Sequence, residues 1–273
     1  MTDLDALTDH GGQGPPILLL HGLMGRGRTW VRQLDWLRRY GRVFTVDAAW
    51  HTGPIIKPWT IPPDGIATER FVDDIADVLR RIAELTGDDV PAVLIGHSMG
   101  GLHAWCAAAA HPDLVRGLVV EDMAPDFRGQ TTRNWTPWFE TWPERFSSLE
   151  QAQEMFGAVA GRYFYEAFDD GRLHGDLGVF VAIADQWGRR DYWAQWEAVR
   201  VPTLLVEAGF TVTPPGQMAQ MAQRNPVAQH VVADGAGHLV HDDAPEFFRG
   251  ALEAFLSALE PPISHPGGTA PRR

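Results

Sequence analysis

The sequence predicts an α/β protein: a mostly parallel sheet of six or seven strands, flanked by helices and carrying a helical cap. Three observations lead there. Short apolar runs recur at 17–20 (ILLL), 43–46 (VFTV), 91–95 (PAVLI), 116–120 (RGLVV), 202–206 (PTLLV) and 228–232 (AQHVV), the pattern of strands covered on both faces. Helix-length amphipathic segments separate most of them, at 28–39, 69–85, 99–110, 215–224 and 244–259, and such alternation favours parallel strands wrapped by helices. One interval, 125–196, is far longer than an ordinary strand-to-helix connection and therefore reads as an inserted cap.

Taken in order, only sixteen residues precede the first apolar run. In the segment 69–85, Phe71, Ile75, Val78, Leu79 and Ile82 have the spacing of one buried helical face. The run PAVLI leads through Gly96-His97-Ser98-Met99-Gly100 into the helix 99–110, where the single cysteine, Cys106, reads as a small buried hydrophobe. The cap interval carries six of the eleven tryptophans. Within it Trp135, Trp138 and Trp142 stand at i, i+3 and i+7, and Phe164 and Phe168 at i and i+4, so each set can share one helical face above an apolar cleft. Residues 1–124 and 197–260 are expected to form the body, 125–196 the cap, and 261–273 (PPISHPGGTAPRR) a disordered tail.

Composition narrows the function. With 273 residues, 45% of them hydrophobic, the chain can bury one substantial core with one insertion. A formal charge of −12 without a dense basic run argues against nucleic acid or an anionic membrane surface as partner. The N-terminus, MTDLDALTDHGGQG, lacks the features of a secretory signal, and no apolar run is long enough to span a bilayer. A single cysteine fits a reducing compartment. The expectation is a soluble, cytoplasmic protein acting on a small molecule.

The chemistry concentrates at Ser98. A Gly-x-Ser-x-Gly pentapeptide between a buried strand and a helix is the setting of a nucleophile elbow, whose glycines leave room for a strained turn that lifts the hydroxyl clear. These residues, with ILLLHGLMGRGRTW and VVADGAGHLVHDDAPEFF, resemble the α/β-hydrolase family over roughly residues 15–260. The resemblance implies the α/β-hydrolase fold, with its opening antiparallel hairpin shortened or missing here. It also implies an oxyanion hole from the backbone N–H groups of Leu23 and Met99, and His238 as general base in a glycine-rich turn after the final strand. His241, beside Asp242 and Asp243, is the rival base, expected nearer the start of the last helix. His97 is expected to pack or hydrogen-bond, and His51, His103 and His111 to be structural or solvated. The spacing His238-x-x-His241 matches no hydrolytic zinc motif, and neither metal nor organic cofactor is implied.

The acid departs from the family pattern. It usually follows the strand that here reads PTLLVEAG, in a turn of the type Gly-x-x-Asp, but this chain has Gly209-Phe210-Thr211-Val212 and no Asp or Glu from 208 to 233. Some relatives carry it one strand earlier. In RGLVVEDMAPD that place falls on Asp122, 24 residues after Ser98, with Glu121 and Glu207 as alternatives. The loop AAWHTGPIIKPW adds Trp50, Ile55, Ile56 and Trp59 as candidates for an apolar pocket wall. The whole reads as a serine hydrolase of apolar acyl or aryl esters, with Trp135, Trp138 and Trp142 lining its cleft. Carbon-carbon hydrolases and perhydrolases use the same serine, and a non-catalytic binder of a small apolar ligand is the alternative from another class.

Overall fold

The computed structural model describes residues 6–52, 61, 66–87, 89–130 and 137–259. Among them, seven strands build one sheet: β1 (Leu7–Asp9), β2 (Pro16–Leu20), β3 (Arg42–Val46), β4 (Ala92–His97), β5 (Val115–Glu121), β6 (Thr203–Phe210) and β7 (Ala228–Gly237). Their order is β1-β3-β2-β4-β5-β6-β7. Every pairing from β2 to β7 is parallel, whereas β1 lies antiparallel on β3 with Leu7 opposite Val46. Among the described residues, β1 is the one strand that runs antiparallel to its neighbour.

The strands alternate as their burial on two faces requires. Leu18, Leu20, Phe44, Leu94, Leu118 and Val120 face a core shared with α2 (Thr68–Thr86) and α3 (Met99–Ala110). Ile17, Leu19, Val43, Val93, Ile95 and Val119 face the opposite side, where α1 (Val31–Leu37) packs and a last helix at 245–258 supplies Phe248, Leu252 and Phe255. The face foreseen on α2 is buried, and the helix ends at Gly87 in the left-handed region, φ 68°. Cys106 is buried on α3, and burial pushes its thiol pKa up.

Between β5 and β6 lie α4 (Leu149–Phe156), α5 (Ala158–Ala167), α6 (Leu177–Arg189) and α7 (Trp193–Ala198). Ser148 and Asp176 cap α4 and α6 by accepting the N–H groups of Gln151 and Val179. Gly157, at φ 85°, turns the chain from α4 into α5. This region is tied to the body by Arg26 and Arg28, which pair with Asp169, and by Arg32, which pairs with Glu166. After β6 come α8 (Gln217–Arg224), α9 (Val240–Asp243) and α10 (Pro245–Ala258). The expected tail, 261–273, lies outside the described residues. No helix among the described residues is long and apolar enough to cross a membrane.

The chain leaves β2 toward β3 on one side and resumes at β4 on the other. Loops at the carboxyl ends of β2 and β4 therefore part in opposite directions and leave a crevice, the place where open parallel sheets receive ligands. Leu94 sits at the centre of this sheet with no exposure. Leu94→Ala is expected to destabilise the protein by about 2–5 kcal/mol, read as a lower urea midpoint; an unchanged midpoint would show that the core does not close around it.

Candidate active site

At the carboxyl end of β4 the backbone turns through Ser98 at φ 52°, ψ −120°, directly before α3. A non-glycine residue rarely adopts this conformation, and it persists only where the surroundings enforce it. They do. A Cβ on Gly96 would lie 2.4 Å from the Gly100 carbonyl oxygen, and one on Gly100 would lie 2.3 Å from that of Leu20, so both glycines are required by close backbone approach. The Ser98 N–H donates to the Glu121 carbonyl at 2.8 Å, carrying the ladder past the end of β4.

The loop after β2 backs onto this turn: a Cβ on Gly22 would meet His97 Nδ1 at 2.6 Å and Ser98 Cβ at 3.3 Å. Two histidines brace it. His21 accepts the Ala48 N–H at Nε2 and donates from Nδ1 to the Gly22 carbonyl. His51 accepts the Met24 N–H at Nε2 and faces the Ala49 carbonyl with Nδ1. Each ring uses one nitrogen as acceptor, so each is neutral, and burial first of all holds both below the ordinary histidine range. Leu23 lies in the cavity wall beside Ser98, while Met99 opens α3 with its side chain in the core.

His238 follows directly on β7, and its Nδ1 lies 2.6 Å from Asp122 Oδ2. Asp122 leaves β5 at φ 44° and is wholly buried. The other two candidate acids are engaged elsewhere. Glu121 meets His241 Nδ1 at 2.8 Å and also accepts the His241 N–H, whereas Glu207 meets His230 at 2.7 Å. Residues 121 and 122 thus serve different histidines, and His238 and His241 point their Nδ1 atoms at different carboxylates. His241 sits in the short α9 ahead of the last helix, stacked on Trp30. Burial disfavours its charged form, but the facing Glu121 carboxylate outweighs that and raises its pKa. His97 donates from Nε2 to the His238 carbonyl at 3.1 Å, joining the elbow to the loop of His238.

Ser98 and His238 line one cavity of about 740 Å³. Its walls are largely apolar: Leu23, Met24, Phe139, Met155, Tyr163 and Phe164 contribute, along with Val212 and the α4–α5 junction 156–160. Trp138 lines it and is partly exposed. Trp142 does not; its ring packs edge-on behind Trp138 at 4.9 Å and among Phe156, Phe164 and Phe168. Trp135, like Ile55, Ile56 and Trp59, lies outside the described residues, and Trp50 packs on Phe71. Sequence reasoning missed the α4–α5 junction and Val212. The available signal for Val212 was its position, since it occupies the place vacated by the family's usual acid.

The sequence profile of the Alpha/beta hydrolase family matches residues 17–251. The chain belongs to this family. It is 25% identical over 262 residues to a 2-(acetamidomethylene)succinate hydrolase of Mesorhizobium japonicum, covering 90% of each chain. It is 28% identical over 271 residues to an sn-1-specific diacylglycerol lipase of Mus musculus, covering 92% of this chain and 84% of the relative. The crystal structure of an E-2-(acetamidomethylene)succinate hydrolase superposes with a TM-score of 0.77 at 24% identity, covering 92% of this chain and 94% of that one.

The histidines of this hydrolase give it a definite pH response. His21, His51, His97, His103 and His174 are all buried, and burial is the first cause holding each below the ordinary range, His103 down to about 3. In the unfolded chain the same rings take up protons near pH 6.5. Their contribution is complete above that value and is lost as pH falls below it, by up to about 1.4 kcal/mol per pH unit for each ring. His241 acts oppositely and in another window: its stabilisation is complete below about pH 6.5 and fades as pH rises through its raised folded value. The urea midpoint is therefore expected to fall steadily from pH 7 to pH 5. A midpoint flat across that interval would mean that these rings are charged in the folded protein.

Proposed function

We propose that the protein is a serine hydrolase of carboxylic esters bearing apolar acyl or aryl groups. Ser98 is the nucleophile, His238 the general base, Asp122 the acid that orients it, and the Leu23 and Met99 backbone N–H groups form the oxyanion hole. One observation carries this reading: a serine held at φ 52° shares an apolar cavity with a histidine whose Nδ1 meets a fully buried carboxylate. A carboxylate only accepts, so His238 Nδ1 bears the proton and the lone pair of the neutral ring is on Nε2, the atom that a general base needs free.

The reaction follows from these roles. Ser98 Oγ attacks the ester carbonyl carbon while its proton passes to His238 Nε2, and the negative oxygen is met by the two backbone amides. The C–O bond to the alcohol breaks, and His238 returns the proton to the departing oxygen. Water, deprotonated by His238, then attacks the acyl-enzyme; the acid departs and Ser98 regains its hydrogen. Asp122 stays ionised and stabilises the imidazolium formed in both halves.

The lining of Leu23, Met24, Trp138, Phe139, Met155, Phe156 and Phe164 supports an apolar substrate, because such walls gain affinity mainly by removing carbon surface from water. The diacylglycerol lipase relative supports an ester. The contact of Asp122 with His238 supports the catalytic reading over a non-catalytic binder, because a carboxylate meets the imidazole although none follows β6.

A fluorophosphonate probe is expected to label the native protein at one site and to fail with Ser98→Ala; an unlabelled native protein would sink the enzymatic reading. On a chain-length series of nitrophenyl esters, activity is expected to rise toward longer acyl chains. Asp122→Asn is expected to lower kcat by about a thousandfold or more without unfolding the protein, and near-normal turnover would reject Asp122 as the acid.

A further inference from the structure

The sheet order places β6 between β5 and β7. A carboxylate that leaves β5 and contacts a histidine that follows β7 must therefore pass the end of β6. Asp122 does so as a wholly buried group, and a buried carboxylate has to be supplied with donors. Its Oδ2 meets His238 Nδ1 at 2.6 Å. Its Oδ1 accepts two hydrogen bonds from the end of β6: the Ala208 N–H at 3.0 Å and the Thr211 hydroxyl at 2.6 Å.

The direction of the hydroxyl chain is determined by proton count. Thr211 Oγ1 lies 2.6 Å from Asp122 Oδ1 and 2.9 Å from Thr213 Oγ1, and it also receives the Thr213 N–H at 2.9 Å. A hydroxyl has one hydrogen and an ionised carboxylate has none. Thr211 must therefore donate to Asp122, and the Thr213 hydroxyl must donate to Thr211. The chain of donors runs one way, from Thr213 through Thr211 to Asp122, and each bond polarises the next in the same sense. Thr213 is itself buried. The turn that would hold the family's usual acid thus presents a threonine to the acid that came from β5, while its next residue, Val212, lines the cavity.

We propose that Thr211 is a positioning residue for the reaction, acting through Asp122. With two donors on Oδ1 the carboxylate cannot rotate about its Cβ–Cγ bond without losing both, so Oδ2 stays on His238 Nδ1 and the ring keeps its orientation in the cavity it shares with Ser98. This rests on the serine-hydrolase reading, in which Asp122 orients His238.

Thr211→Val keeps the shape and removes the donor. The expected result is a kcat about 10- to 100-fold lower, the range for losing a hydrogen bond to a charged group, with KM changed less than about threefold. Thr211→Ser restores kcat to within about threefold of the native value, and Thr213→Val, which leaves the Thr211 hydroxyl unoriented, falls between. If Thr211→Val does not fold, Thr211→Cys, a weak donor of similar size, is expected to lose kcat in its place. The second readout is independent of turnover: the downfield proton resonance of His238 Nδ1–H is expected to shift or broaden away in Thr211→Val and to persist in Thr211→Ser. Native kcat with an unmoved resonance in Thr211→Val overturns the proposal, as does a loss that appears wholly in KM. Failure of the underlying reading looks different, because the native protein would then not be labelled by the fluorophosphonate while the resonance would still report the effect of Thr211 on Asp122 and His238.

Discussion

A hydrogen bond that crosses the end of a strand governs this site. Asp122 and His238 come from β5 and β7, two strands that do not touch, and their 2.6 Å contact exists only because β6 ends in a way that lets the carboxylate pass. An acid following β6 itself would need no such crossing. A buried carboxylate that reaches across from β5 needs the intervening turn to supply donors rather than a second negative charge. The absence of Asp or Glu from 208 to 233 then reads as a condition of the arrangement: a carboxylate at the end of β6 would stand beside Asp122 and make both costly to ionise.

The two acids side by side at the end of β5 show how finely the sheet sorts charge. Glu121 is the last residue of the strand and Asp122 the first beyond it, both fully buried. A strand sends neighbouring side chains to opposite sides, and the positive φ of Asp122 turns its carboxylate onward to β6. Glu121 holds α9 through both the backbone and the ring of His241, and α9 begins two residues after His238. One acid thus meets the imidazole of His238 while the other anchors the segment that follows it. Arg32 adds a further tie, since it pairs both with Asp242 of α9 and with Glu166 of α5, so the region above the cleft and the loop of His238 share an anchor.

Legibility followed the range of the interactions. The six apolar runs became β2 to β7, and α2 and α3 match their expected spans within a residue. The Ser98 turn was readable because its pattern is local: two glycines flank the serine within five residues, and Gly96 makes room for Gly100, though Gly100 also makes room for Leu20 of β2. Contacts that skip across the sheet were not readable in the same way. Three carboxylates stand open in the sequence as partners for His238, and the registers of β5 on β6 and of β6 on β7 decide among their contacts by sending Glu121 to His241, Glu207 to His230 and Asp122 to His238. Helical spacing put Trp138 and Trp142 on one face, and their rings do touch. Spacing could not say which ring faces the cleft, because that depends on how the surrounding helices pack.

By itself, then, the sequence determined the layered architecture and the tight turn at Ser98 between β4 and α3. Hydrophobic period and glycine placement act within a few positions and need no knowledge of the fold. Only the tertiary structure decided which carboxylate reaches which imidazole, that Val212 rather than Trp142 walls the cavity, and that the Thr211 hydroxyl meets Asp122 while that of Thr213 meets Thr211. Those outcomes depend on the directions of side chains brought together from strands more than eighty residues apart, and such directions exist only once the sheet has set its register.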